Sequence, residues 1–204
     1  MDSLTHFLRV LCFCLLALYQ SSCYDGGKLA EGGISGTGVA SGPISGLGSI
    51  ITNGVKFNTE NAIVNINGLS SVSNQLKVGM VVNVNGQINT TQDSGEADNI
   101  YFDSSLIGQI DKKETSFLAA LGQNIIIDSQ TVFVTDTESN LNYLKTKDVI
   151  AVSGFITSDG AIQATYVEKL SSKPAYLVVE SIVASLDEIN NSFRIKNPLK
   201  ITPP

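Results

Sequence analysis

The stretch Leu76-Lys77-Val78-Gly79-Met80-Val81-Val82-Asn83-Val84-Asn85-Gly86-Gln87-Ile88 decides the fold. Val82, Val84 and Ile88 fall on one face of an extended chain, and Asn83, Asn85 and Gln87 fall on the other. That period of two belongs to a half-buried β-strand, not to a helix. Sixty-eight residues later Leu144 to Ile156 repeats the stretch, with Leu144 standing for Leu76, Ile150 for Val82, Val152 for Val84 and Gly154 for Gly86.

The repeat extends outward on both sides. Gly42 to Phe57, Ala62 to Gly68 and Ala97 to Phe102 are matched by Gly108 to Gly122, Asn124 to Val134 and Ala161 to Val167. Each copy splits into about five short alternating runs separated by turn signals, among them Ser158-Asp159-Gly160, where Asp-Gly suits a hairpin. A polar or single-turn segment (71–77 and 138–145) precedes the fourth run. The expectation is an all-β chain of tandem five-stranded OB-like barrels at residues 43–105 and 106–170. Small β-sandwich units are the alternative. Residues 175–204 read as a partial third repeat or cap. Val64, Ile66, Val82, Val84, Ile125, Ile127, Ile150 and Val152 are the expected core.

The 204 residues carry 19 acidic against 13 basic side chains, a net charge of -6. Phosphate-backbone binding needs clustered cations, so no nucleic-acid partner is expected. The only histidine is His6, and the cysteines are Cys12, Cys14 and Cys23. The apolar run Val10 to Tyr19 has the length of a signal peptide's middle and is too short to span a bilayer. With residues 1–22 read as a signal peptide, the remaining body has no imidazole and one thiol. His-dependent triads, thiol catalysis and His/Cys zinc sites are then excluded.

The lone thiol has its own reading. Ser21-Ser22-Cys23 at the end of an apolar run is similar to the bacterial lipoprotein box, which makes Cys23 the lipidation site and the membrane the first partner. Secretion or a periplasmic location without an anchor is the alternative. Residues 23–42, rich in Gly and Ser, read as a flexible tether.

Gly32 to Gly38 (G-G-I-x-G-T-G), Gly42 to Ile50 (G-P-I-x-G-x-G-S-I), Asn53 to Phe57 (N-G-V-x-F) and Leu76 to Gly86 (L-x-V-G-M-V-V-x-V-x-G) resemble the bacterial domain of unknown function 5666. The likeness spans roughly residues 32–170. It is closer in the first copy than in the second, where Lys147-Asp148 replace Gly79-Met80. It implies exported or lipid-anchored β-barrel repeats and brings no catalytic residues.

The remaining clusters read as structure. Asp93, Glu96, Asp98 and Asp103 lack the ligand spacing of a calcium loop and read as a solvated hairpin. Phe57, Tyr101, Phe102, Phe133, Phe155 and Tyr166 read as barrel filling, and Lys112-Lys113, Lys145 and Lys147 as solvated turn residues. No catalytic residue, metal site or cofactor is expected, and the ligand is open. The expected function is a non-catalytic envelope lipoprotein, a binding or structural module with a glycan or protein partner. A carbohydrate-binding OB-like module is the alternative, with a hydrolase of envelope polymers behind it.

Overall fold

The computed structural model describes residues 34–35, 38–89, 92–135 and 140–196. Cys23 and residues 1–22 lie outside them. The chain is all-β. The first sheet contains β1 (Ile34–Ser35), β2 (Val39–Pro43), β3 (Ile50–Thr52), β4 (Val55–Asn58), β5 (Ile63–Ile66), β6 (Leu69–Ser71), β7 (Val81–Asn89) and β8 (Ser94–Phe102). The second contains β9 (Leu106–Lys113), β10 (Phe117–Ala120), β11 (Gln123–Ile126), β12 (Val132–Val134), β13 (Val149–Ile156), β14 (Ile162–Lys169) and β15 (Val178–Val179). A separate hairpin is made of β16 (Val183–Asp187) and β17 (Ser192–Ile195).

The second sheet runs β10-β11-β14-β13-β9, and β9 pairs back with β10, which closes a five-stranded barrel. The first runs β2-β7-β8-β4-β3, with β5 also on β8, and a single bridge from Gly46 to Ile51 joins its two ends. In both, β11 or β4 lies parallel to the last strand while the other path neighbours are antiparallel. The match reaches fine detail. Opposite Gly86 one extra residue, Asp98, bulges out of β8; opposite Gly154, Thr165 does the same in β14. A Cβ on either glycine would collide with a carbonyl of the facing strand, from Glu96 or Gln163. A bulge of this kind bends the strand and tightens its twist, which helps a short sheet close.

Single turns of 3-10 helix, Ser73–Gln75 and Leu141–Tyr143, precede β7 and β13 and lead into buried Leu76 and Leu144. Two apolar clusters follow the sheets, one around Phe57, Val82, Val84 and Ile100, the other around Leu118, Ile125, Ile150 and Val152. Each such side chain contributes roughly 1.5–3 kcal/mol. Of the expected core, Val64, Val82, Val84, Ile125, Ile127, Ile150 and Val152 are buried, while Ile66 is partly buried against the first cluster.

Two expectations need correction. The tether at 23–42 and the unit start at 43 are set too late, because β1 and β2 pair within that stretch and Val39 already opposes Asn85. Its small residues serve packing: the Asn53 amide crosses over Gly42 to reach the Ser41 carbonyl at 2.6 Å. The five expected strands close the second barrel, with short β12 added beside β14, while the first sheet carries seven strands from β2 to β8. The turn at 157–161 forms as expected, with Gly160 at φ +91° and the Thr157 amide donating to the Ala161 carbonyl at 2.9 Å.

Candidate functional site

The alternation that makes β7 a strand also makes a surface. Asn83, Asn85, Gln87 and Asn89 leave its outer face in succession, while Val82 and Val84 point into the first apolar cluster. Cross-strand register extends the surface sideways. One rung runs Ser41, Asn83, Tyr101, Asn65 across β2-β7-β8-β5, and the next runs Val39, Asn85, Asn99, Ile63. Beyond the bulge come Gln87, Glu96 and Asn58, then Asn89, Ser94 and Lys56. That end opens into a groove of about 490 Å³ between β4 and the β7–β8 turn. Tyr101 is 38% exposed in the middle of this amide field.

An amide presents donors and an acceptor from one planar group, and an exposed ring offers a face for stacking. The surface can therefore bind a neutral, hydroxyl-rich or amide-rich ligand. Asp93, at φ +46°, sits in the β7–β8 turn, and Glu96 lies on the groove wall. Among the described residues no three His, Cys, Asp or Glu side chains gather as metal ligands.

The second barrel uses the same face differently. Ala151 and Ser153 occupy the positions of Asn83 and Asn85, facing Glu168 and Tyr166 in place of Tyr101 and Asn99. These side chains are covered by the first unit. The Val81 amide donates to Ser153 Oγ at 2.9 Å, and Tyr166, 1% exposed, joins the first apolar cluster. The Tyr166 hydroxyl donates to Glu168 Oε2 at 2.8 Å, and Glu168 Oε1 meets Lys77 Nζ at 2.7 Å. Burial first, and then the Glu168 carboxylate, push the phenol far above its ordinary range, so it remains a donor.

Gly79 explains why the two copies differ at this corner. It has φ +90°, and its exposed counterpart Lys147 has φ +75°; each donates its amide at 2.8 Å, to the Ile44 and Ile110 carbonyls respectively. A Cβ at Gly79 would lie 2.6 Å from the Thr165 carbonyl, on the bulged residue of the other barrel. Lys147 stands exposed. A cleft of about 270 Å³, lined by Lys77, Met80, Phe102, Ser104, Tyr166 and Glu168 among others, remains beside the contact.

The other sequence candidates have structural places. Phe57, Phe102, Phe133 and Tyr166 are buried, Phe155 is partly so, and Tyr101 alone of this set is exposed. Lys112 pairs with Glu114 at 3.0 Å. Lys113 donates to the Leu144 carbonyl at 2.8 Å. The sequence reading placed Asn83, Asn85 and Gln87 on a polar face but missed Asn58, Asn65 and Asn99. Asn65, between Val64 and Ile66, carried the same alternation signal.

Among the described residues no helix is long and apolar enough to cross a membrane. Neither a curated protein nor a solved structure matches the chain. Residues 107–168 match the family model described as Domain of unknown function (DUF5666). The match falls on the second copy, although the resemblance read from the sequence was closer in the first; the alternation and bulge common to both are a backbone pattern that the glycine motifs mark only in part. The match runs from Ile107 in β9 to Glu168 in β14 and so coincides with the closed barrel of the second sheet.

Proposed function

We propose that the protein is a non-catalytic binding or structural module of the bacterial cell envelope, anchored through lipidated Cys23. Its folded part reads as OB-like barrels in tandem, with the first barrel presenting the working surface. The strand order, with the third strand parallel to the fifth and the fourth returning to the first, supports the OB-like reading. That analogy speaks for architecture and leaves activity to the site.

One observation carries the proposal. The same outer face is amide-lined and open in the first barrel, yet carries Ala151, Ser153, Tyr166 and Glu168 and is covered in the second. Tyr101 within the open face favours a carbohydrate or oligosaccharide ligand, since stacking and amide hydrogen bonds together suit a sugar ring. The test is capture on cell-wall sacculi and on a panel of envelope glycans. Saturable capture that falls tenfold or more with Tyr101→Ala, and is kept by Tyr143→Ala, is expected. Both tyrosines are 38% exposed, so the pair controls for exposure. Absence of capture, or equal loss in both variants, overturns the glycan reading and leaves a structural role. The anchor is tested separately by labelling with a palmitate analogue: Cys23→Ser should lose the label, and equal labelling refutes lipidation.

A further inference from the structure

Tyr101 has unlike neighbours on its four sides. On its rung it lies between Asn83 of β7 and Asn65 of β5, and Asn65 is paired in turn with Ser70 of β6. Two residues back along β8 stands Asn99, opposite Ile63. Strands lie about 4.8 Å apart and alternate residues about 6.8 Å, so Ile63 is roughly 8 Å from Tyr101 on the diagonal. Ile63 is 60% exposed, although Val64 beside it is buried. Continuing the β5–β6 register sets Val72, extended and 57% exposed, opposite Ile63. The ring thus has three amides around it and an aliphatic ledge at one corner. The rungs through Tyr101 and Asn99 carry no charged side chain, in a chain of net charge -6.

The second sheet shows what this corner does when it is covered. Aligning the bulges places Tyr166 on Asn99, Val132 on Ile63 and Val134 on Asn65. Val132 and Val134 both pack against the first apolar cluster. An aliphatic side chain at this corner is therefore a contact residue in the second sheet. The first sheet keeps the aliphatic, as Ile63, but has Asn65 for Val134 and Asn85 for Ser153. A purely apolar cover would strip water from these amides and return no hydrogen bonds. The fitting occupant offers a methyl group to Ile63 and hydrogen bonds to the amides within one small space.

We infer that the site takes N-acetylated sugars, which rests on the glycan reading above and narrows it. An acetamido group carries a methyl, an N–H and a C=O on one planar unit. A hexose stacked on Tyr101 can lay that group over Asn65 and Asn99, with the methyl on the ledge of Ile63 and Val72. A hydroxyl in the same place makes hydrogen bonds but leaves the ledge wet. A carboxylate or sulfate meets no cation on either rung. Covering one methyl and completing one amide hydrogen bond together favour the acetamido sugar by about tenfold.

The test is titration calorimetry of the full chain with two β-1,4-linked hexasaccharides that differ only at C2. Chitohexaose carries acetamido groups there and cellohexaose carries hydroxyls. Chitohexaose should bind about tenfold more tightly. Ile63→Ser should weaken chitohexaose alone and bring the two within about twofold. Tyr101→Ala should weaken both, and Leu186→Ser, exposed elsewhere, should change neither. Hydrogen exchange in β5 and β8 should match wild type in every variant, separating a lost contact from lost folding. Equal affinities, the reverse order, or a preference that Ile63→Ser leaves intact overturns the acetamido inference and leaves the glycan reading standing. So does binding of neither hexasaccharide when another envelope glycan is captured. Capture of no glycan at all overturns the glycan reading as well.

Discussion

Tyr166→Ala measures how firmly the two sheets are joined. The ring is 1% exposed and lies in the apolar cluster of the first unit although β14 belongs to the second. Truncating a buried aromatic costs roughly 3–5 kcal/mol once the unfilled cavity is included. The Lys77–Glu168 pair remains, but with side chains 39% and 25% exposed it contributes under about 1 kcal/mol. Nearly the whole cost therefore falls on the contact between the second sheet and the first apolar cluster. For a domain of this size each kcal/mol shifts Tm by about 2–4 °C, so the variant should melt roughly 6–20 °C lower. Tyr166→Phe keeps the ring and loses only the bond to Glu168, at about 1 kcal/mol. Calorimetry gives the shift, and hydrogen exchange locates it: amides of β7 and β8 should lose protection along with those of β14. A Tyr166→Ala protein melting within about 2 °C of wild type, or a Phe variant as damaged as the Ala variant, would refute the idea that this ring joins the units.

Gly79→Ala should destabilise by roughly 2–4 kcal/mol, adding left-handed strain to a collision with the Thr165 carbonyl, whereas Lys147→Gly should be neutral or stabilising by up to about 1 kcal/mol; urea titrations compare the two. The Asp187 carboxyl is held below its ordinary range, chiefly by the Asn190 side chain and then by backbone amides. A lowered carboxyl value favours the folded hairpin above the ordinary carboxylate range and gives up that contribution as pH falls through the lowered value. The protection of the Ile189 and Asn190 amides, relative to their intrinsic exchange rates, should therefore fall below about pH 4, and Asp187→Asn should remove that change.

What could be read in the sequence was whatever one strand dictates by itself. Val82 and Val84 against Asn83 and Asn85 announced both a buried and an exposed face, and Leu144 to Ile156 repeated the frame. The Gly-Ser stretch around Val39 to Pro43 concealed a strand, because its small residues answer to Asn53 crossing above them, a contact between positions 12 apart. The burial of Ala151 and Ser153 was equally illegible. In a strand, Ala and Ser suit either solvent or a tight contact, and the decision comes from Val81 on a different barrel. The third segment read as a partial repeat, but pairing Val183 with Ile195 and Leu186 with Phe193 required the register set by a bulge in β16.

The covering of one barrel's face by its neighbour gives the chain a direction. The units share a strand order, yet they cannot trade places. With the second barrel moved ahead of the first, Tyr166 and Ser153 would stand in water while Asn83, Asn85 and Asn99 would be forced into a dry seam without partners. The exchanged chain would lose its exposed amide ladder and its seam in a single step. Which surface faces outward is decided by order along the chain as much as by the residues of a unit.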